Sequence, residues 1–519
     1  MDSRTTVMPQ RQALAFVAMA VGMFMAILDI QIVSSSLSEI QAGIAAGASE
    51  ISWVQTSYLI AEVVMIPLSG FLGRALSTRY LFAIAAGGFT LTSALCATAT
   101  SIDQMMVYRA LQGFIGGAMI PSVFAAAFTI FPPHRRAGIS AVVGLIATMA
   151  PTIGPTVGGY LTNILSWHWL FLINVIPGIA VTAAAYFLID FDKPDFRLLR
   201  KFDYIGLVTL AAFLGGLEYV LEEGPQNDWF ADEAIFCLAI VSAAGCVLFF
   251  WRAFTAEEPV VDLRTFADRN FATGSLFSFM IGVGLYGLVY LYPVFLARVR
   301  GYDSLQIGET MFVTGMFQMM TAPFAGQLAQ RFDSRYVVGF GMALLGLSCL
   351  ELVPVTKDWA FVELFVPQAM RGVALMLVMV PISMLALGTL PPDLVKNASG
   401  LFNLTRNLGG AVGLALITTL LNARTDLHIV RLHEAVSWGR QAAVERLDAM
   451  TQALAPRLGG DAELAAIKLM TQSAHRESLV MAFSDVFLVL ALAFLAMVVL
   501  VPLIRKPVPR AAPAGAGGH

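Results

Sequence analysis

The dominant signal along the chain is a succession of apolar stretches separated by short polar turns. A membrane-spanning helix needs about 20 consecutive apolar residues, and a window of about 19 residues picks such segments out. They lie at roughly 12–34, 51–72, 80–100, 104–127, 138–162 and 167–190, then at 203–221 and 233–253. Six more follow at 271–297, 304–325, 336–356, 360–386, 397–421 and 480–504. The pattern predicts an all-α polytopic membrane protein with fourteen transmembrane helices. The first stretch is too long for a signal peptide and has no small-residue cleavage site, so it is read as a retained helix.

Charge sharpens this picture. Hydrophobic residues make up 58% of the 519 positions and charged ones 13%, against about 25% charged in soluble domains. That excludes a soluble enzyme and a disordered scaffold. A net charge of −3 with no long basic run excludes a nucleic-acid binder. Cys96, Cys237, Cys246 and Cys349 sit in apolar stretches and read as small hydrophobes, not as a disulfide framework. With the N-terminus inside, the inner loops and tails hold nineteen of the 32 basic residues; the short outer loops hold Arg298, Arg300 and Lys357. The positive-inside rule then places both termini in the cytoplasm. Trp53, Trp167, Trp169, Trp229, Trp251 and Trp359 fall at span ends, as an interfacial belt requires.

The chain also repeats itself. Gly70–Tyr80 recurs as Gly326–Tyr336; Arg109-Ala110-x-x-Gly113 with Pro121 recurs as Gln368-Ala369-x-x-Gly372 with Pro381; Phe131-Pro132-Pro133 recurs as Leu390-Pro391-Pro392. Three landmarks in one order at near-constant spacing predict two related six-helix halves with a pair inserted between them, a 6+2+6 arrangement. The expected units are 1–190, an inserted pair with linkers at 191–270, a second half at 271–504, and a disordered tail at 505–519. Parallel halves of this kind occur in major facilitator transporters, whose substrate site lies between them near the midplane.

Individual motifs extend that likeness. Leu28-Asp29-Ile30-Gln31-Ile32-Val33, Trp53-x4-Tyr58-Leu59 and Arg109-x-x-Gln112-Gly113 resemble the first-, second- and fourth-helix motifs of the fourteen-helix drug:proton antiporters, the EmrB/QacA family. Ala150-x3-Gly154-Pro155-x2-Gly158-Gly159 resembles its fifth-helix antiporter motif. Pro259-Val260-Val261-Asp262-Leu263 and Asn403-x-Thr405-Arg406-Asn407-x-Gly409-Gly410 are similar to the EmrB branch. Gln31, Ser34 and Ser38 replace the family's Thr, Asn and Pro, and Arg74 stands where the superfamily's loop has Asp, so the charge arrangement at that loop is expected to differ. The resemblance spans almost the whole chain. It implies proton-driven export of hydrophobic or amphipathic compounds from the bacterial inner membrane, with a periplasmic EmrA-like adaptor and an outer-membrane channel as partners.

Intramembrane charges carry the candidate chemistry. Ionisable groups are costly there and are functional by default. Asp29 is a lone carboxylate in an apolar helix; set between burial and a nearby cation, it can take up and release a proton. Arg109 stays charged and can hold the deprotonated acid, or the two can simply lock helices one and four together. Glu62 is a second proton site, a determinant for cationic substrates, or a non-titrating cavity acid. Gln31, Gln55, Tyr58, Gln112, Glu218, Asn403 and Arg406 are expected to face the substrate cavity, because polar groups in spans tend to. Glu222 and Glu223 read as a solvated rim. Pro155 bends its helix, and Gly154, Gly158 and Gly159 allow close helix approach, so this helix reads as a stiff interface between the halves.

The long segment 422–478 carries an apolar stripe through Ile429, Leu432, Val436 and Leu447, which predicts a helical hairpin outside the membrane. It serves as a lid or as a docking surface for the adaptor, with those four residues in contact. His428, His433 and His475 match no metal spacing and read as solvated. No metal or cofactor is expected. The absence of a GxxxxGK[ST] loop leaves the proton gradient as the energy source. Two rivals stay open: a proton-coupled importer on the same fold, and a membrane-embedded enzyme.

Overall fold

A computed structural model describes residues 10–47, 50–436 and 439–505. The tail expected to be disordered falls outside them from 506 onward. Eighteen α-helices and no strand are found among the described residues. In chain order they are α1 (Gln10–Ser34), α2 (Leu37–Ile44), α3 (Trp53–Cys96), α4 (Ile102–Gly116), α5 (Met119–Thr129), α6 (Pro133–Ile164), α7 (Trp169–Leu172), α8 (Val175–Leu188) and α9 (Arg197–Arg200). Then come α10 (Tyr204–Glu223), α11 (Glu233–Thr255), α12 (Arg269–Phe295), α13 (Ser304–Arg331), α14 (Ser334–Leu350), α15 (Phe361–Gly388), α16 (Pro392–Ala435), α17 (Gln441–Leu458) and α18 (Ala462–Leu500). Among the described residues, eleven helical stretches are long and apolar enough to cross a membrane. Acidic loop residues start several of them. The side chains of Asp203, Asp232, Asp268 and Asp303 each accept a first-turn amide, satisfying donors that have no partner inside the helix.

Every predicted apolar stretch falls on helix, although 104–127 is divided between α4 and α5 and 167–190 between α7 and α8, and two further differences stand out. The stretches at 51–72 and 80–100 belong to one element, α3, broken where Ser77 leaves helical geometry at φ 71°, ψ 159°. The stretch at 397–421 does not stop there: α16 runs on to Ala435.

Helices α1 to α8 pack together, α12 to α18 form a second group, and α10 pairs with α11 while resting on α3 and α16. The groups meet along α6–α13, α6–α15, α5–α16 and α3–α16. At the end carrying residues 70–79 and 392–397 they close. Lys396 donates to Gly73 O at 2.7 Å and pairs with Asp192 at 2.5 Å. Asp192 Oδ2 also accepts from Thr78 N and Oγ1, both at 2.8 Å, taking up an amide freed by the break at Ser77. An acid from the linker after α8 thus serves this junction, where Arg74 occupies the loop position that holds Asp elsewhere.

The segment expected to form a separate hairpin is an extension of the two helices that flank it. α16 and α18 project past their apolar parts, and α17 lies against α18. The stripe breaks between Val436 and Gln441, so it is not a single face. Leu447 is buried and turned inward, Val436 is 41% exposed, and Ile429 and Leu432 are half-buried. Leu447 thus packs between α17 and α18, where with Val436 and Ile467 it lines a small pocket. His428 is likewise buried, not solvated: its Nε2 lies 2.8 Å from Asp485 Oδ2.

Candidate functional site

The chemistry begins on α1. Asp29 sits in an apolar helix whose neighbours are all hydrophobic, so its carboxylate must find polar partners from other helices. It finds three. Arg109 on α4 donates from Nη1 to Asp29 Oδ2 at 2.7 Å, with both side chains fully buried. Asn174, at the start of α8, donates to Oδ1 at 2.7 Å, and Gln112 Nε2 reaches the same oxygen at 3.3 Å. The guanidinium is held in turn. Its Nε donates to Val54 O at 3.1 Å and its Nη1 to Gln112 Oε1 at 2.7 Å, while its plane lies 4.3 Å from the Tyr58 ring and 5.8 Å from the Phe171 ring. Ser93 Oγ accepts from Asn174 at 3.2 Å. Removing one member of such a buried pair costs about 3–5 kcal/mol, because the other charge is stranded.

A cavity of about 730 Å³ opens beside this network, at the end opposite the Lys396 junction. Both groups of helices line it: Gln31 from α1, Gln55 and Glu62 from α3, Pro155 and Gly159 from α6, Glu218 from α10, Tyr286 and Tyr290 from α12, Asn407 from α16. Asp29 lies immediately before Ile30 and Gln31, which face the cavity. The ion pair itself is closed off from it, so the buried carboxylate and part of the cavity wall share one helix.

The expected site residues divide accordingly. Gln31, Gln55, Glu62 and Glu218 line the cavity. Tyr58 and Gln112 do not; they wrap Arg109. Asn403 and Arg406 do not either: Arg406 Nη2 donates to Asn403 Oδ1 at 2.5 Å, and its guanidinium lies 5.2 Å from the Phe124 ring across the interface. Gln112 and Asn403 are thus held by neighbouring side chains in place of the cavity, whereas Tyr58 Oη and the Nε and Nη1 of Arg406 have no hydrogen-bond partner among the described residues. Glu222 lines the cavity and Glu223 is buried, accepting from Thr56 Oγ1 at 3.0 Å, so neither belongs to a solvated rim. Gly154 and Gly158 turn toward α1; a Cβ on Gly154 would strike Gln31, and one on Gly158 would strike Ile32 O and Ser35 Oγ. On its other side α6 packs on α13, where Gly308 lies against Thr156. No group of residues suited to hold a metal ion occurs among the described residues.

Asn174 and Ser93 were not singled out from sequence. Asn174 is an isolated amide in the predicted span 167–190, and that isolation is the signal that marks it.

Comparison with known proteins gives these features a family. The sequence profile of the Major Facilitator Superfamily matches residues 19–414. The colistin resistance protein EmrB of Acinetobacter baumannii is 43% identical over 479 residues, covering 92% of this chain and 93% of that protein. The multidrug export protein EmrB of Escherichia coli K12 is 28% identical, covering 97% and 96%. Among solved structures, the proton:xylose symporter XylE aligns with a TM-score of 0.58 at 11% identity, over 95% of this chain and 97% of that one, a likeness of fold.

Proposed function

The chain belongs to the major facilitator superfamily and is a multi-pass membrane transporter, not an enzyme; on that premise we propose that it is a proton-coupled multidrug efflux antiporter of the bacterial inner membrane. It has fourteen spans arranged 6+2+6, with both termini in the cytoplasm and residues 422–478 outside. It works as the inner-membrane part of a tripartite pump with an EmrA-like adaptor and an outer-membrane channel. The likeness, over almost the whole chain, to two EmrB export and resistance proteins supports this reading.

The observation that carries proton coupling is the fully buried Asp29–Arg109 pair on the helix that also forms the cavity wall. A proton arriving on Asp29 cancels its attraction for Arg109 and leaves Arg109 to Val54 O, Gln112 and the Tyr58 ring. α1 is then free to shift against α4 and α8, and Ile30 and Gln31 move with it. Loss of the proton restores the ion pair and the first arrangement. Alternating access follows if the two arrangements of α1 favour opposite openings of the cavity, with α6, packed between α1 and α13, passing the shift to the second half.

The test is Asp29→Asn in a pump-deficient strain, scored by drug susceptibility and by proton-driven efflux in vesicles. The variant is expected to reach the membrane and to lose both. Retained resistance would make Asp29 a purely structural residue. Substrate uptake driven by an inward proton gradient would replace export with import.

A further inference from the structure

Buried polar atoms in a folded protein are almost always hydrogen-bonded, so a group of them that is not asks for a reason. One such group lies on the seam between α3 and α16, where the two groups of helices meet. Glu62 on α3 and Arg406 on α16 are each 2% exposed. Glu62 Oε1 and the Nε and Nη1 of Arg406 have no hydrogen-bond partner among the described residues. Opposite charges this dry are costly apart and are stabilised by meeting.

The packing puts them within reach of each other. α3 and α16 run antiparallel: a Cβ on Gly70 would strike Asn397, and one on Gly400 would meet Ile66 O. One further turn of about 3.6 residues along each helix sets Glu62 and Val63 opposite Asn403 and Leu404. Arg406 leans back over that turn, as its hydrogen bond to Asn403 shows. The charges of Glu62 and Arg406 act on one another.

A second cation acts on Glu62 from the other side, Arg109, together with its partner Asp29. Tyr58, one turn before Glu62 on α3, covers the Arg109 guanidinium at 4.3 Å. The other ionisable groups around Glu62 are Tyr58 itself, Tyr286 on α12 and Glu218 on α10, with Glu222 beyond it, and none is a cation. While Asp29 is ionised, its carboxylate at 2.7 Å offsets the charge of Arg109, and Glu62 is left to Arg406. A proton on Asp29 removes that offset and exposes Glu62 to the full charge of Arg109.

We propose that Glu62 passes between the two arginines: with Asp29 ionised it pairs with Arg406 and draws α3 and α16 together, and with Asp29 protonated it turns to Arg109 and releases them. The present arrangement, with Glu62 bonded to neither, lies between the two. Glu62 lines the cavity from α3, and Asn407 and Gly410 line it from α16, so the pairing narrows it. Arg406 is then a positioning residue that acts through Glu62 and carries the state of the first group of helices to the second. This deepens the proton-coupled reading above and rests on it.

Double electron–electron resonance on the full chain in lipid nanodiscs reads the seam. Cys237 and Cys246 are replaced by Ser. Spin labels stand at Ser38 and Glu309, exposed positions near the cavity-lining Glu39 and Ile307 on the two groups. The shorter-distance population of the wild type is expected to grow at least about threefold from acid to alkaline pH. Arg406→Met and the isosteric Glu62→Gln should each bring that ratio to about one, with the longer distance dominant. Arg406→Lys, which keeps the charge, should keep most of the response. Asp29→Asn mimics the protonated acid and should hold the longer distance at every pH. A wild-type distance that ignores pH, a full response in Arg406→Met or in Glu62→Gln, or equal loss in Arg406→Lys and Arg406→Met overturns the switch. The export reading fails separately, on the Asp29→Asn resistance assay. A chain that loses resistance in Asp29→Asn but keeps the wild-type distance response in Arg406→Met retains its function and loses this switch.

Discussion

In the first half, Arg109 on α4 sends Nε to Val54 O, four residues before Tyr58, whose carbonyl lies where a Cβ on Gly113 would fall. In the second half, Gln368 on α15 sends Nε2 to Thr310 O at 2.9 Å, four residues before Thr314, whose carbonyl lies where a Cβ on Gly372 would fall. The two contacts are the same joint built twice, as the repeat Arg109-Ala110-x-x-Gly113 and Gln368-Ala369-x-x-Gly372 predicts. What differs is the charge. The first half orders its pair as Arg109 then Gln112 and gives the arginine Asp29. The second orders it as Gln368 then Arg371, and there no nitrogen of the Arg371 guanidinium has a hydrogen-bond partner among the described residues; the Tyr292 ring at 5.4 Å is its neighbour. A shared scaffold has thus been kept for packing, while the acid–base pair is present on one side alone. On the proposed mechanism, protons act through the first half and the second half follows.

Stability measurements on the purified protein can break this contrast. The largest effect is expected for Arg109→Gln, which strands Asp29 and should cost about 3–5 kcal/mol in thermal unfolding. The double variant Asp29→Asn/Arg109→Gln should recover part of that loss. Arg371→Met should go the other way, neutral to stabilising by about 1–4 kcal/mol, because it removes a buried charge with no partner. A loss like that of Arg109→Gln would show that the second half hides a counter-charge and is not the bare copy described here. Asn174→Ala removes a hydrogen bond to the carboxylate and should cost about 1.5–3 kcal/mol; no change would leave Arg109 and Gln112 as the partners that matter. The smallest effect, about 1 kcal/mol or less, is expected for Lys396→Met, since that pair keeps some solvent contact. Its sharper readout is cysteine cross-linking across residues 73 and 396, which should fall as the halves part more often.

The apolar helices were legible in the sequence because lipid forces both long apolar runs and backbone hydrogen bonds closed within each segment. Asp29 and Arg109 were legible for the same reason, as charges that lipid makes rare. The cavity was less so. Tyr58, Gln112, Asn403 and Arg406 are polar groups in spans like Gln31 and Gln55, yet they pack against Arg109, Phe124 and one another in the interior. Only three-dimensional position separates the two sets. The reach of α16 was missed because hydropathy ends at 421, whereas the helical hydrogen-bond ladder is indifferent to polarity and continues to Ala435.

That continuity has a mechanical side. A helix of 44 residues is roughly 66 Å long at about 1.5 Å per residue, twice the thickness of a bilayer's hydrocarbon core of about 30 Å. α16 is therefore a stiff lever with its root at the Lys396 junction and its tip at Ala435, and α18 runs beside it. If the second half tilts by about 10° during transport, a point about 40 Å along such a rod sweeps about 7 Å. Any protein resting on α17 would feel such a tilt as a displacement of its footing, a stroke delivered along the helix without a separate signal.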